Sequence, residues 1–206
     1  MNQNDFIQKV SDAGEVALIG PLGQGRPPSN QIPWLIVDGG RDCLNETQIK
    51  GPVFWVGDGD SSKEAQLIDL KWEPQKDFSD FKGALELLPT VDKVFCWGFL
   101  GGQREHEMAN FGEGHRFVAD RENTLLNFED RVLIFPAGTH SIPIKDREFS
   151  LFVLESCQIK LGGNCHYQIK QPQLLRPLES LGLHNSANGL VEISATGPFF
   201  IFLGSK

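Results

Sequence analysis

No stretch of about 18 apolar residues occurs in this chain, so no membrane-spanning helix is expected. Positive charge is in deficit: 19 Lys and Arg stand against 27 Asp and Glu, a formal net charge of -8. A surface of that sign does not hold a nucleic acid by its phosphates, so no nucleic-acid partner is expected. It also means that a polyanionic ligand needs local help from a metal ion, backbone N–H groups or a few Lys and Arg side chains. Cysteine is sparse. Cys43, Cys96, Cys157 and Cys165 are widely spaced and form no CxxC pair, which argues against a zinc site or a disulfide scaffold. Cys96 lies inside an apolar run and reads as a small core residue. The opening MNQNDFIQKVSDAG has no basic segment followed by an apolar one, so no secretory signal is expected. Together these absences point to a reducing cytoplasm. Nothing reads GxxxxGKS or GxxxxGKT, and GxGxxG is missing too. The glycines of PLGQGRPP run into prolines, not into a helix. Internal repeats and low-complexity tracts are also absent.

What remains is an ordinary globular composition, 40% hydrophobic and 22% charged, in 206 residues, enough for one large domain or two small ones. In the first part, strand-like and helix-like patterns alternate. NDFIQKVSDAG reads as a short helix ending at Gly14. EVALIG, WLIVDGG, VFWVGDGD and KVFCWGFL read as buried strands, and QLIDLKW as a further one. Their continuous apolar runs favour a parallel sheet covered on both faces. In SDFKGALELL, Phe81, Ala84, Leu85 and Leu88 recur at helical spacing behind Ser79, a candidate N-cap. Residues 105 to about 120 read as a helix with Met108, Ala109, Phe117 and Val118 as candidate inward positions. Beyond Asn127 the pattern changes to short strand-like runs without helices: RVLIFPAG, FSLFVLES, HYQIKQP, LVEISATG and PFFIFLG, with ATGP as a hairpin turn. The expected fold is therefore α/β plus all-β. A largely parallel α/β sheet domain, residues 1–128, precedes an antiparallel β-sandwich, residues 129–206, with the boundary near 126 to 131.

The chemistry gathers where the buried runs stop. WLIVDGG stops in Asp38, Gly39 and Gly40; VFWVGDGDSS in Asp58, Asp60, Ser61 and Ser62; KVFCWGFLGG in Gly101 and Gly102. A sheet whose strands repeatedly end in Asp and Gly builds a site along one edge. Carboxylates without His or Cys suit a hard cation such as magnesium and a phosphate-bearing ligand. Two readings of GDGDSS stand side by side: a metal and phosphate loop, or a strand-ending turn made of common turn residues. Asp77 and Asp80 around Ser79 likewise either cap a helix or add a carboxylate to the metal set. Lys76 beside them is a candidate phosphate contact or a surface charge. His106 reads as a helix residue without a nucleophile to serve.

These motifs, in this order, resemble the thiamin pyrophosphokinase family. That family carries a DGG stop, a GDxDS stop, a DxTD helix start and a GGRxDHxxxN segment. Here they stand as Asp38-Gly39-Gly40, then Gly57-Asp58-Gly59-Asp60-Ser61, then Asp77-Phe78-Ser79-Asp80, then Gly101-Gly102-Gln103-Arg104-Glu105-His106 ending in Asn110. The resemblance implies an α/β catalytic domain followed by a thiamine-binding sandwich, and pyrophosphoryl transfer from ATP to thiamine. It implies magnesium on Asp58, Asp60 and Asp80. Nucleotide contacts would come from Asp38, Gly39, Gly40, Ser61, Lys76, Ser79, Gly101, Gly102 and Gln103. Thiamine contacts would come from Asp80 and from His184 and Asn185 in GLHNSANG, in a homodimer whose subunits share the acceptor site. The chain departs from the family at Gln103 (for Arg), Glu105 (for Asp), Ser79 (for Thr) and His184 (for Ser). Its GNCHYQI segment also matches the family's GLxYPL poorly. The metal residues conform, while the nucleotide clamp and acceptor pocket differ. A related enzyme with another small-alcohol acceptor, or a binding protein without catalysis, are the alternative expectations.

Overall fold

The structure, a computed structural model, describes residues 1–45 and 49–204. The chain divides into two compact units, Met1–Gly114 and His115–Lys206. The first carries β1 (Glu15–Ile19), β2 (Trp34–Val37), β3 (Val53–Gly57), β4 (Leu70–Lys71) and β5 (Lys93–Trp97). They lie in the order β5-β1-β2-β3-β4, and each neighbouring pair is parallel. Every residue of β2 is buried, as are all but the first of β1 and of β3. Such unbroken burial belongs to strands covered on both faces, as their apolar runs predict.

Helix α1 (Gln3–Ala13) packs on this sheet through Phe6, stacked on Phe54 of β3 with ring centroids 5.4 Å apart. The Asn2 side chain caps its start, and Gly14, in the left-handed region, ends it. Helix α2 (Asp80–Glu86) starts on Ser79, whose hydroxyl accepts the Lys82 N–H. The expected strand in QLIDLKW shrinks to the two residues of β4. Residues Ala65–Leu67 make a 3-10 turn, and the Asp69 carboxylate, not a backbone carbonyl, accepts the Trp55 N–H.

The strand order positions the site. From β1 the chain moves outward through β2, β3 and β4, then returns to the other side of β1 as β5. The loops leaving β1 and β5 therefore part at this reversal. Beyond the carboxyl ends of a parallel sheet, that is where a crevice opens.

Helix α3 (Arg104–Ala119) contains the division between the units. The second unit adds β6 (Leu125–Phe128), β7 (Val132–Phe135), β8 (Gly138–Phe152), β9 (Cys157–Cys165), β10 (Ile169–Leu175), β11 (Asn185–Ala195) and β12 (Phe199–Leu203). They run β10-β9-β11-β8-β12-β7-β6, antiparallel throughout. This corrects two expectations. The strands form one hydrogen-bonded ladder, not the two separate sheets of a sandwich. ATGP is no hairpin turn, because β11 and β12 do not pair: the 15-residue β8 lies between them. Strand β9 is absent from the expected runs because Gly162 and Gly163 interrupt its pattern. Yet Cys157, Ile159 and Leu161 alternate inward against exposed Gln158 and Lys160. The unit's core gathers Phe149, Ile159, Val191, Ile193, Phe199 and Ile201, each at most 1% exposed. Burying each such side chain contributes about 1.5–3 kcal/mol.

The inward positions expected of α3 hold only in its second half. Phe117 and Val118 are buried, whereas Met108 is 52% exposed and Ala109 is exposed. His115 follows the buried pattern, with its ring stacked on Phe200 at 6.1 Å and its Nε2 without a hydrogen-bond partner. Burial, and less so the Arg116 charge, push its pKa below the ordinary value, while Glu155 opposes them. A depressed histidine favours the folded state fully above the unfolded pKa, about 6.5, and loses that contribution as pH falls below it. The melting temperature is therefore expected to drop as pH falls from 7 to 5. In His115→Phe, followed by circular dichroism, that acid-side drop is expected to shrink; an unchanged profile would assign it to other groups.

Candidate active site

A cavity of about 600 Å³ opens beyond the carboxyl ends of the first unit's strands. Pro21, after β1, and Phe99, after β5, line it at the point where the strand order reverses. Asp38 comes from the end of β2, and Asp60 and Ser61 from the turn after β3. Ser79, Asp80 and Phe81 come from the start of α2, and Glu105, His106, Ala109 and Asn110 from the first half of α3. Ala109 is exposed because its face of α3 borders the cavity, whereas Met108 does not line it.

Three carboxylates converge. Asp38, Asp58 and Asp80 each offer an oxygen, and these atoms all lie within 4.8 Å of one another. Local backbone makes this possible. Strand β3 ends at Gly57 with φ 154°, and a Cβ there would lie 2.9 Å from the Asp38 Cα, so only glycine lets the two strand ends approach this closely. Asp38 itself is left-handed, φ 45°. Its Oδ1 accepts the Gly59 N–H at 3.3 Å, and its carbonyl accepts the Trp55 indole N–H at 2.9 Å. Asp80 arrives as the first residue of α2, held there by the Ser79 cap.

Lys76 joins the cluster. Its ammonium donates to Asp58 Oδ2 and lies 3.3 Å from Asp80 Oδ1, with the Lys76 and Asp58 side chains each 8% exposed. Burial pushes the Asp58 carboxyl up, but hydrogen bonds from Lys76 and the Asp60 N–H, with the Lys76 charge, outweigh it and hold the pKa below the usual value. For Lys76, burial works downward, but the bonds and charges of Asp58 and Asp80 carry its pKa above the ordinary value. Asp80 goes the other way. Burial, with repulsion from Asp58 and Asp38, raises its pKa despite Lys76.

Not every expected residue joins this group. Asp60 is exposed on the cavity wall, and its Oδ1 accepts the Ser61 hydroxyl at 2.8 Å. Gly39 and Gly40 are buried: a Cβ on Gly40 would stand 2.0 Å from the Ile19 carbonyl oxygen. Gly101, Gly102 and Gln103 are exposed between β5 and α3 and do not line the cavity. The Gly101 N–H, at a position the resemblance implies as a nucleotide contact, donates to the Glu107 carboxylate of the same chain at 2.9 Å. Asp77 is exposed. His184 and Asn185 belong to the second unit. His184 is exposed and left-handed, φ 52°. Asn185 is buried; its Oδ1 accepts the N–H groups of Tyr167 and Ser186, and its Nδ2 donates to the Tyr167 carbonyl. It therefore fixes the turn that presents Tyr167, itself 63% exposed.

His106, Asn110, Phe81 and Phe99 line the cavity without being among the expected site residues. The i, i+4 spacing of His106 and Asn110 was the available signal, since it puts both on one helix face.

The donor set fits a hard divalent cation: all three ligands are carboxylates, and the buried Asp80 Oδ1 is faced only by the Lys76 ammonium, 3.3 Å away. Beside it, Ser61 and Ser79 offer hydroxyls, and Phe81, Phe99 and Pro21 offer apolar surface. A cation and a phosphate chain with a flat ring attached match this combination.

No protein-family model matches the chain, and no curated protein matches it by sequence. Solved structures do match. The thiamine pyrophosphokinase from Bacillus subtilis aligns with a TM-score of 0.73 and 19% identity, over 93% of this chain and 99% of that one. The thiamin pyrophosphokinase from Candida albicans aligns with a TM-score of 0.74 and 14% identity, over 96% and 92%. That from Geobacillus thermodenitrificans gives 0.70 and 21%, over 93% and 97%. The chain thus has the fold of the thiamine pyrophosphokinases, a mixed α/β sheet with few helices, and among its described residues no helix is long and apolar enough to cross a membrane.

Proposed function

We propose that the chain is a magnesium-dependent thiamine diphosphokinase, transferring pyrophosphate from ATP to the hydroxyl of thiamine. The observation that carries this reading is the convergence of Asp38, Asp58 and Asp80 at a cavity built from the ordered motifs, within a fold shared with thiamine pyrophosphokinases. The hydroxyl oxygen bonds to the β-phosphorus, the bond from that phosphorus to the AMP oxygen breaks, and the hydroxyl proton is released. Such transfer asks the protein chiefly for positioning and charge neutralisation. Asp58 and Asp80, with Asp38 beside them and Asp60 from the cavity wall, would hold magnesium, which supplies positive charge against the phosphate oxygens. Lys76 adds a second cation. Ser61 and Ser79 on the cavity wall would approach the nucleotide, whereas the Gly39-Gly40 and Gly101-Gly102 turns and Gln103, which the resemblance implies as contacts, lie off that wall. The domains expected from the sequence, 1–128 and 129–206, would be the catalytic and thiamine-binding parts of a cytoplasmic homodimer, with His184 and Asn185 on the acceptor side; the compact units themselves divide earlier, between Gly114 and His115.

A second reading keeps the transfer and changes the acceptor. It is favoured by Asn185, whose amide is engaged on both sides with the backbone of Tyr167 and Ser186. A steady-state assay with Mg-ATP separates the two: AMP and thiamine diphosphate are expected to form together, and only when thiamine is added. AMP released with another small alcohol, but not with thiamine, would select the second reading. Mg-ATP binding without AMP under any condition would leave a nucleotide-binding protein.

A further inference from the structure

We propose that Lys76 is an exchangeable counter-cation of the carboxylate cluster, which the metal replaces only when a phosphate group draws the ammonium away. This rests on the reading of Asp38, Asp58 and Asp80 as a metal site. The oxygens such a cation needs are those the ammonium already holds: Asp58 Oδ2 through a hydrogen bond and Asp80 Oδ1 at 3.3 Å. Both belong to residues whose ligand atoms lie within 4.8 Å of one another, so a divalent cation and the ammonium there would be close neighbours. Two positive charges that close repel strongly in a partly buried site, so exchange is favoured over joint occupancy.

Moving the ammonium alone is costly. Lys76 is 8% exposed, and withdrawing it would leave three carboxylates facing one another. An incoming pair of metal and phosphate removes both costs at once: the metal neutralises the carboxylates and the phosphate receives the ammonium. A lysine suits this exchange because its charge sits on a flexible four-carbon stem. The ammonium also lies over the Phe78 ring, 5.9 Å from its centroid, where the ring face adds only a weak attraction to the hold of the carboxylates. Metal and nucleotide binding are thereby coupled through Lys76, and free metal alone is held weakly.

The test is calorimetric titration of the full chain with Mg2+, alone and with the non-cleavable α,β-methylene analogue of ATP. For the wild type, the analogue is expected to raise metal affinity by at least about tenfold. Lys76→Met is expected to bind Mg2+ alone at least about tenfold tighter than wild type and to lose most of that enhancement. Without metal, Lys76→Met is expected to melt below the wild type, with the gap closing when Mg2+ is added. Lys76→Arg, which keeps the charge, is expected to bind Mg2+ alone as weakly as wild type. This variant carries the test if Lys76→Met folds only with metal. The inference is overturned if Lys76→Met binds Mg2+ alone no tighter than wild type, or if Lys76→Arg binds it tightly. Should no protein bind Mg2+ with or without the analogue, the metal reading itself fails and takes this inference with it.

Discussion

Asp58→Asn is expected to reduce AMP formation by at least about a thousandfold while leaving a folded protein, because it removes the charge at the centre of the cluster. Asparagine has the volume of aspartate, and its Oδ1 still accepts the Asp60 N–H that Asp58 Oδ1 accepts at 3.2 Å. What it drops is one of the converging negative charges and the partner of the Lys76 ammonium. Magnesium would then be held by two carboxylates of the cluster, and the charge that offsets the departing AMP would be misplaced. A loss of several kcal/mol of transition-state stabilisation corresponds to about three powers of ten in rate. The fold survives because Lys76 keeps Asp80 at 3.3 Å and because the buried strands, not this cluster, hold the first unit together. Rapid-quench measurement of AMP beside far-ultraviolet circular dichroism checks both halves. Wild-type turnover with unchanged magnesium dependence would remove Asp58 from the metal site.

The parallel half of the fold was legible because its signal is local. EVALI, WLIV and VFWVG are buried at nearly every position, and only a strand covered on both faces tolerates that. The antiparallel half was legible in composition but not in pairing. Which strand lies beside β8 depends on contacts far apart in the chain, such as Ser194 with Thr139 and Phe202 with Ser150, and no window of sequence reports them. The site shows the same division. Strand ends are local, so the Asp and Gly stops could be named one by one. Their convergence depends on strand order and on the close approach that Gly57 allows to Asp38. The resemblance pairs Asp58 with Asp60 on the metal, and residues two apart share a face only while a strand stays extended. The strand stops at Gly57, however, and Gly59 turns with φ 82°, so Asp58 goes inward and Asp60 out to the cavity wall. Asp38, from the neighbouring strand, comes within reach instead.

That difference ranks two variants. Asp38→Asn is expected to weaken magnesium binding by about 10–100-fold, and to weaken it more than Asp60→Asn does. Asparagine is a clean replacement at position 38. It tolerates the left-handed backbone that Asp38 adopts at φ 45°, and its Oδ1 still accepts the Gly59 N–H. The Trp55 indole bond goes to the backbone carbonyl and is untouched. Only the charge is lost, at a carboxylate 7% exposed and within 4.8 Å of the other two. The Asp60 carboxylate is exposed and already receives the Ser61 hydroxyl, so its charge acts on the cluster through water and from farther off. Calorimetric titration of Mg2+ with the α,β-methylene analogue, applied to both variants, reads the order directly. If Asp60→Asn proved the more damaging, Asp60 would be the ligand that its motif suggests. Asp38 would then be the residue that braces the Gly59 turn and the Trp55 ring beneath it.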